Sequence, residues 1–450
     1  MRLTRRAVYF APCLLALGGI ATSAHGAAFQ LQEQSASLLA SAFAGRSADA
    51  GDISHMFFNP ATLGVHAGRG PEAELVLSYI DPTFDFEADS DPGWSAVGGD
   101  TGQLSASGGE SALAPVFYAG FDLAPDLRAG LGINVPYGLE TDYPEDWVGR
   151  YDAVNTDLVT VDINPQLGWR LDEQLALGLG VSAQYADATL STMAPETDFS
   201  TTPATPTPTP TPANDGKLTV DGDSWSYSFN LGAHYAVTED TQLGVAYRHG
   251  LGHTLSGEAE LVDDGGVTVD ETGGEADLDI PASLNLGVSH QLDPQWTLLA
   301  DATWTQWSDF EELAIEFDDG IVGIPQGQNS YAVTDEQAYE EYDWDDTWFL
   351  SLGTRYDASE QWDLRAGLAY DQTPTGDSNR TPRIPDEDRT WLAVGGTWSP
   401  AQADQLRVDF GYTYIWLDDA DIEVAEDFGG VTGEYESNVQ VFTTSANWRF

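Results

Sequence analysis

The chain has 450 residues, with 17 basic against 73 acidic side chains and a formal net charge of -56. So acidic a chain repels phosphate backbones, and it has no basic stripe to offset this, which excludes nucleic acid as a partner. The only lysine, Lys217, is followed by Leu218, which excludes a P-loop, and 14 Trp, 18 Tyr and 18 Phe exclude a disordered chain.

In chain order, the first predicted element is an export signal. Arg2, Arg5 and Arg6 precede an apolar stretch from Ala7 to Ile20 that is too short to span a bilayer, and Ala24 and Gly26 suit a cleavage site. The pattern predicts a signal peptide over 1–26 and a mature start at Ala27. Cys13, the single cysteine, leaves with it, so disulfides, thiolate metal sites and cysteine nucleophiles are excluded from the mature chain. The mature charge becomes 14 - 73 = -59, because three arginines and no acids are removed. Residues 27–70 are rich in Ala, Ser and Gly without strand alternation, and are expected to form a separate N-terminal unit ahead of 71–450.

From there on, segment after segment alternates apolar and polar residues with period two. In 361–371, Trp362, Leu364, Leu368 and Tyr370 share one face, while Asp363, Arg365 and Gly367 take the other. In 406–416, Leu406, Val408, Phe410, Tyr412, Tyr414 and Trp416 oppose Arg407, Asp409, Gly411 and Thr413. A soluble sandwich also alternates. Here the apolar faces often begin or end in Trp or Tyr, and the opposite faces mix Gly with charge, as a lipid-facing wall around a wet lumen requires. Fourteen strands are predicted, near 72–81, 112–123, 127–141, 156–171, 174–190, 223–237, 240–256, 275–291, 295–312, 347–356, 361–371, 387–399, 403–417 and 436–450. Turns after even strands are brief, such as Asp172-Glu173 and Thr238-Glu239, whereas connections after odd strands are long, acidic and rich in Gly, Pro or Asp. Such sorting belongs to an all-β, antiparallel transmembrane barrel of the outer membrane, with both termini on the short-turn, periplasmic side. The last strand ends at Phe450 on the lipid-facing parity, which is expected to engage the barrel-assembly machinery. Outer-membrane lipids and lipopolysaccharide are the expected surroundings of a Gram-negative host. The excess of acids with almost no lysine suggests that this host is salt-tolerant.

Several motifs carry no chemistry. Pro203 to Pro212 is a Thr-Pro repeat, read as a stiff solvated spacer in an external loop. His249 and His253 lie roughly 13 Å apart on a strand, too far to share a zinc. Gly178-Leu179-Gly180 lies inside a strand with no helix after it, so it is no dinucleotide loop. Asp343, Asp345, Asp346, Asp418, Asp419 and Asp421 could hold Ca²⁺ in outer loops, but without fixed ligand spacing they read better as a solvated acidic surface. No enzyme activity, cofactor or metal is expected.

The residues resemble those of the FadL/TodX (OmpP1) family of outer-membrane transporters for long-chain fatty acids and hydrocarbons. Ala28-Phe29-Gln30-Leu31-Gln32-Glu33-Gln34-Ser35 is similar to the family's N-terminal opening, and Phe57-Phe58-Asn59-Pro60-Ala61 matches its Asn-Pro-Ala motif. Pro136-Tyr137-Gly138-Leu139, Trp307-Ser308-Asp309-Phe310 and Ile384-Pro385-Asp386-Glu387-Asp388-Arg389 follow in family order. The resemblance implies a fourteen-stranded barrel plugged by its N-terminal segment, with Phe58, Asn59, Pro60 and Ala61 in the plug or gate. It implies ligand-gated, passive diffusion of a hydrophobic small molecule and lateral exit at a kinked third strand. Val135, Pro136, Tyr137 and Gly138 would form that kink, and Gly232 matches a family glycine near the opening. The sequence supports the kink independently, because proline lacks a ladder donor and sits beside a flexible glycine in mid-strand. Asn59 is expected to hydrogen-bond the exposed backbone near Val135 to Gly138.

The departure from the family concerns the ligand head group. A base is expected near the outer end of the fifth strand, where this chain reads Thr189-Leu190-Ser191-Thr192 after Asp187, and residues 313–346 contain no base. Arg150, Lys217, Arg248, Arg380 and Arg383 remain as unassigned candidates. A neutral hydrocarbon or aromatic substrate is therefore an alternative, with a polar porin and a surface adhesin behind it.

Overall fold

The computed structural model describes residues 27–89, 100–194, 212–213, 215–319, 325–326, 330–331, 337–424 and 430–450. The predicted signal peptide and all of the Thr-Pro repeat except Pro212 lie outside these residues.

Period-two alternation produces strands in register, and the strands close on themselves as a 14-stranded antiparallel barrel. They are β1 (Glu72–Ala88), β2 (Ala112–Ala124), β3 (Leu127–Asn134 and Gly138–Asp142), β4 (Asn155–Arg170), β5 (Leu175–Ala194), β6 (Gly216–Ala236) and β7 (Thr241–Arg248 and Leu251–Val262). The second half comprises β8 (Thr268–Ile280 and Ser283–Gln291), β9 (Trp296–Thr305 and Glu312–Phe317), β10 (Gln337–Glu341 and Thr347–Ser359), β11 (Trp362–Asp371), β12 (Arg389–Trp398), β13 (Leu406–Leu417) and β14 (Thr432–Arg449). Closure is the ladder from Glu72↔Arg449 to Ala88↔Gly433 between β1 and β14, which leaves no sheet edge there. The large apolar residues of alternate positions point outward: Leu352 is 69% exposed and Leu368 57%. That much bare apolar surface is stable only against lipid.

Several strands run further outward than their side chains suggest. The first continues to Ala88 instead of ending at 81, the sixth begins at Gly216 instead of 223, and the last begins at Thr432 instead of 436. In these extensions the outward face turns acidic. Asp85 pairs with Glu436 and Glu87 with Glu434, an arrangement that side-chain electrostatics disfavour and that the continuing backbone ladder sustains. Composition therefore reads as loop where hydrogen bonding makes strand.

Among the described residues five strands are broken: β3 at 135–137, β7 at 249–250, β8 at 281–282, β9 at 306–311 and β10 at 342–346. Pro136 and Pro281 lack ladder donors, and Gly250 weakens the break in β7. In β9 the break holds a short 3-10 turn, Trp307–Asp309.

Residues 27–70 pack inside this wall as α1 (Ala36–Leu39), a 3-10 turn (Ile53–Phe57) and α2 (Ala61–Val65). Each start is capped by a side-chain oxygen: Ser35 accepts from the Leu38 amide at 3.3 Å, Asp52 from Ser54 at 3.0 Å, and Asn59 from Ala61 at 2.9 Å. α1 lies against β12 to β14 and α2 against β4 to β6. The wall admits them because inward positions facing the segment are glycine. A Cβ on Gly178 would overlap the Ala61 amide, one on Gly244 the Ser47 carbonyl, and one on Gly367 the Ser41 carbonyl.

Candidate functional site

Across the break in β3, the backbone groups that its own neighbours leave free are taken by the N-terminal segment. The β2–β3 ladder stops at Phe117↔Ile133 and reappears only as a bridge between Gly109 and Thr141. Over the break, Leu31 N–H donates to Pro136 O at 2.9 Å and Gly138 N–H donates to Phe29 O at 2.9 Å, on either side of a Gln30–Tyr137 bridge. The Gln34 side-chain amide donates to Val135 O at 2.6 Å, and Tyr137 N–H donates to the Thr160 hydroxyl at 2.9 Å. Residues 29–31 thus act as a short added strand. Asn134 and Tyr118 line the gap from the barrel side, joined at 2.7 Å, and Tyr118 O–H donates to Gln34 O at 2.9 Å.

Two cavities lie on either side of that short strand. The outer one is walled by Phe29, Leu139, Leu158, Leu255, Leu278, Phe310 and Ile384, with Asp221, Glu258 and Glu275 also in its lining. Phe29 is 1% exposed, with its ring 5.0 Å from Trp307 and 5.5 Å from Phe310. Arg383 is the only basic side chain among the described residues lining this cavity, and it is already engaged by Glu340 at 3.3 Å and the Thr156 hydroxyl at 3.2 Å. Such a chamber receives apolar chains through contact area and offers little to a charged head.

The inner cavity lies between the segment and β6 to β9 and touches Pro136 and Tyr137. Its lining is mixed: Leu31, Phe57 and Phe58 supply apolar surface, while Arg46, Arg248, Asn230 and Asn285 supply polar groups. Arg46 lies 4.2 Å from the centre of the Phe349 ring and 3.3 Å from Asp301.

Electrostatics hold the segment in place. Burial would raise the Asp49 carboxyl, but Arg355 and Arg365 outweigh it and hold the group below its ordinary range, at 3.1 and 3.2 Å. Glu33, fully buried, is pushed up to about 7 by desolvation. His66 is pushed down to about 3, again mainly by burial, so it docks neutral.

The sequence-derived candidates divide accordingly. Val135, Pro136 and Tyr137 form the interruption of β3 and Gly138 opens its second piece, so β3 is two pieces and not the single strand expected over 127–141. Asn59 does not reach it. Its amide donates to Ser47 O at 2.7 Å and Ala233 O at 3.1 Å, because its own position after the 3-10 turn aims it at β6. Pro60 and Ala61 begin α2, Phe58 lines the inner cavity, and Gly232 leaves the space that Asn59 and Pro60 fill. Of the basic candidates, Arg383 reaches the outer cavity and Arg248 the inner one. Arg150 is buried against Asp215 at 2.8 Å, Arg380 is buried against Glu387 and the Asp386 carbonyl, and Lys217 pairs with Glu145 at 2.9 Å near the surface. Those three line neither cavity.

Sequence reasoning missed Arg46, Gln34 and Asn230. Arg46 had one signal, since it and Arg69 are the only arginines between Ala27 and Gly70. Gln34 lay in the quoted N-terminal opening with no role assigned, and Asn230 had no signal, because their importance lies in partners far along the chain.

Comparison with known proteins agrees with this geometry. The family described as "Outer membrane protein transport protein (OMPP1/FadL/TodX)" matches residues 17–450. A "Long-chain fatty acid transport protein" of Escherichia coli O6:H1 is 26% identical over 459 residues, covering 97% of each chain, and a "47 kDa outer membrane protein" of Pasteurella multocida is 28% identical over 412 residues, covering 89% of this chain and 90% of its own. Among solved structures, a Pseudomonas aeruginosa FadL homologue superposes with a TM-score of 0.82 at 26% identity, over 94% of this chain and 100% of its own. The toluene transporter TbuX of Ralstonia pickettii shares the fold at a TM-score of 0.67 and 20% identity, over 93% of this chain and 99% of its own. The match over almost the whole length, on a closed barrel of this strand number, assigns the chain to the OMPP1/FadL/TodX family of outer-membrane transporters of fatty acids and other hydrophobic compounds.

Proposed function

We propose that residues 27–70 plug the barrel and that the protein admits long-chain fatty acids or related hydrophobic molecules by passive, ligand-gated diffusion. The substrate enters the outer cavity, passes the short strand 29–31, and leaves sideways through the gap between β2 and β3 beside Pro136. The observation that carries this reading is the apolar outer cavity lined at its base by Phe29. At about 25 cal/mol per Å² of buried apolar surface, an alkyl chain gains useful affinity there without help at its head. The E. coli relative named as a long-chain fatty acid transport protein favours a fatty acid. The engagement of Arg383 by Glu340 favours a second reading, a neutral hydrocarbon, at this outer station. Phe450, 77% exposed at the periplasmic end, would serve the assembly machinery, and the acidic outer faces of the strands would meet the lipopolysaccharide layer of a salt-tolerant host.

The test is binding and uptake of labelled palmitic acid by wild type and by Leu255→Asp, which sets a charge in the outer cavity. The expected result is loss of both binding and uptake with the barrel still folded. Unchanged uptake would remove the outer cavity from the path.

A further inference from the structure

Three carboxylates converge where the N-terminal segment meets the closing strands of the barrel. Asp52 caps the 3-10 turn of the segment, Glu74 lies near the start of β1, and Asp409 lies on β13. β14 runs between those two strands and sets the short side chains of Asn447 and Ser445 in the gap, opposite Glu74 and Asp409 respectively. Asp52 is 3% exposed, Glu74 1% and Asp409 0%, and one oxygen of each lies within 4.8 Å of the other two. Two of the acids are well supplied with donors. Asp52 accepts from the Ser37 hydroxyl at 2.6 Å and the Ser54 amide at 3.0 Å, and Asp409 accepts from Arg407 at 2.9 Å. Glu74 is not: its Oε2 accepts from Asn447 at 3.2 Å, while its buried Oε1 has no hydrogen-bond partner. Arg407 also stands 3.4 Å from Asp52, so one guanidinium serves two of the three acids. His55, 3.5 Å from Asp52, adds a positive charge only when protonated. With His55 neutral, three carboxylates against one guanidinium leave two negative charges, a costly arrangement in a buried site. A divalent cation cancels them. Ca²⁺ takes oxygen ligands at about 2.3–2.6 Å on all sides, so oxygens spaced as these are can share one ion, whereas Mg²⁺ keeps several waters and suits a buried carboxylate cage less.

We infer that Asp52, Glu74 and Asp409 form a calcium site that ties the N-terminal segment to the strands on either side of β14. Glu74 offers the free oxygen, and Asp52 and Asp409 complete the set from the segment and from the opposite strand. Because one ligand comes from the segment and two from the wall, binding the ion stabilises the docked segment, whatever the barrel transports. The site departs from the metal-free chain expected from the sequence. Its ligands come from three distant positions, so no local spacing announces it.

The experiment is elemental analysis of the full detergent-solubilised chain, saturated with calcium chloride and passed over a chelating resin that strips weakly held ions from exposed acids. Wild type should retain about one calcium ion per chain, and Glu74→Gln less than about a tenth of that. Asp421→Asn, at an exposed acid, should retain as much as wild type. Prolonged treatment with EDTA should speed hydrogen exchange of the amides of 53–58 at least about tenfold in wild type and leave Glu74→Gln unchanged. Migration of unheated protein on a detergent gel checks folding of each variant. Should Glu74→Gln not fold, Asp409→Asn takes its place, and retention by wild type decides in either case. No calcium retained by wild type, or full retention by the Glu74 or Asp409 variant, would overturn the inference. Exchange that follows pH and ignores calcium would also overturn it, by showing that a proton balances Glu74.

Discussion

The Gln34 side-chain amide donates to the Val135 carbonyl at 2.6 Å, a bond that spans 101 residues of sequence and joins the N-terminal segment to the break in β3. It is the polar counterpart of the backbone ladder made by Phe29 and Leu31, and it fills an acceptor that no neighbouring strand can reach. Gln34→Leu keeps the volume and removes the donor. Leaving a buried carbonyl unsatisfied costs about 1–3 kcal/mol, so the amides of Leu31 and Gly138 should exchange hydrogen roughly 5- to 150-fold faster. Mass-resolved hydrogen exchange on the peptides covering 27–34 and 135–142 measures it, and unchanged protection would show that Gln34 does not secure the segment.

Asn59 holds the other end of the segment. With Asn59→Ala, the cap on α2 and the donors to Ser47 and Ala233 are lost together. The expected cost is about 1–3 kcal/mol of segment docking, with the barrel itself intact. Gly232→Glu should act at the same place, because any side chain there overlaps Asn59 and Pro60. Both variants should lower uptake of a labelled fatty acid by cells carrying matched surface amounts, and should migrate as folded barrels when unheated. Normal uptake in both would separate the Asn59 region from the path.

Glu33 gives a pH dependence of known sign. Its folded value of about 7 lies above the ordinary 4.5 because burial disfavours the anion. Its contribution to docking is therefore fully present below pH 4.5 and is lost as pH rises through 7. The shift amounts to roughly 3 kcal/mol. His66, lowered to about 3 by burial, works in the opposite sense: its contribution is present above 6.5 and lost as pH falls toward 3. Exchange protection of 27–34, corrected for intrinsic rates, should thus fall from pH 6.5 to 8 in wild type, where His66 no longer adds a slope, and fall less in Glu33→Gln. A wild type that gains protection over that range would contradict the assignment.

The outer cavity should treat acid and ester alike in its own contribution. With Arg383 engaged by Glu340, palmitic acid and its methyl ester should bind with affinities within about threefold of each other, since buried alkyl area dominates. A persistent preference for the acid would show that Arg383 releases Glu340 and receives the carboxylate.

How far the sequence reveals this protein depends on the physical scale of each feature. Strand parity was legible because lipid on one side and a crowded lumen on the other force strict alternation, as in Trp362 to Tyr370. The break at Pro136 was legible because proline removes a ladder donor. The outer ends of the strands were not, since Asp85 and Glu436 sit opposite each other on a ladder that only the backbone sustains. The cavity wall was half-hidden: Leu255 and Leu278 turn inward above the breaks in β7 and β8, whereas the lower inward face carries Asn285 on β8 and Thr303 on β9. The partner of Val135 was assigned to Asn59 because asparagine offers both a donor and an acceptor to unpaired backbone, whereas the geometry of the 3-10 turn aims Asn59 at β6 and leaves that task to Gln34.

The central claim is that substrate passes only when the short strand 29–31 parts from Pro136 to Gly138. Gln30 and Tyr137 face each other as a non-hydrogen-bonded antiparallel pair, with Cα atoms about 4.5 Å apart in such a pairing, within disulfide reach. The mature chain expected from Ala27 onward contains no other cysteine. Uptake of labelled palmitic acid by cells carrying Gln30→Cys with Tyr137→Cys is therefore the most direct measurement, with cross-linking followed on gels. Oxidised cells should lose uptake and reductant should restore it, while each single variant stays insensitive to redox state. Full uptake with the disulfide quantitatively formed would contradict the account, because substrate would then cross without opening this ladder.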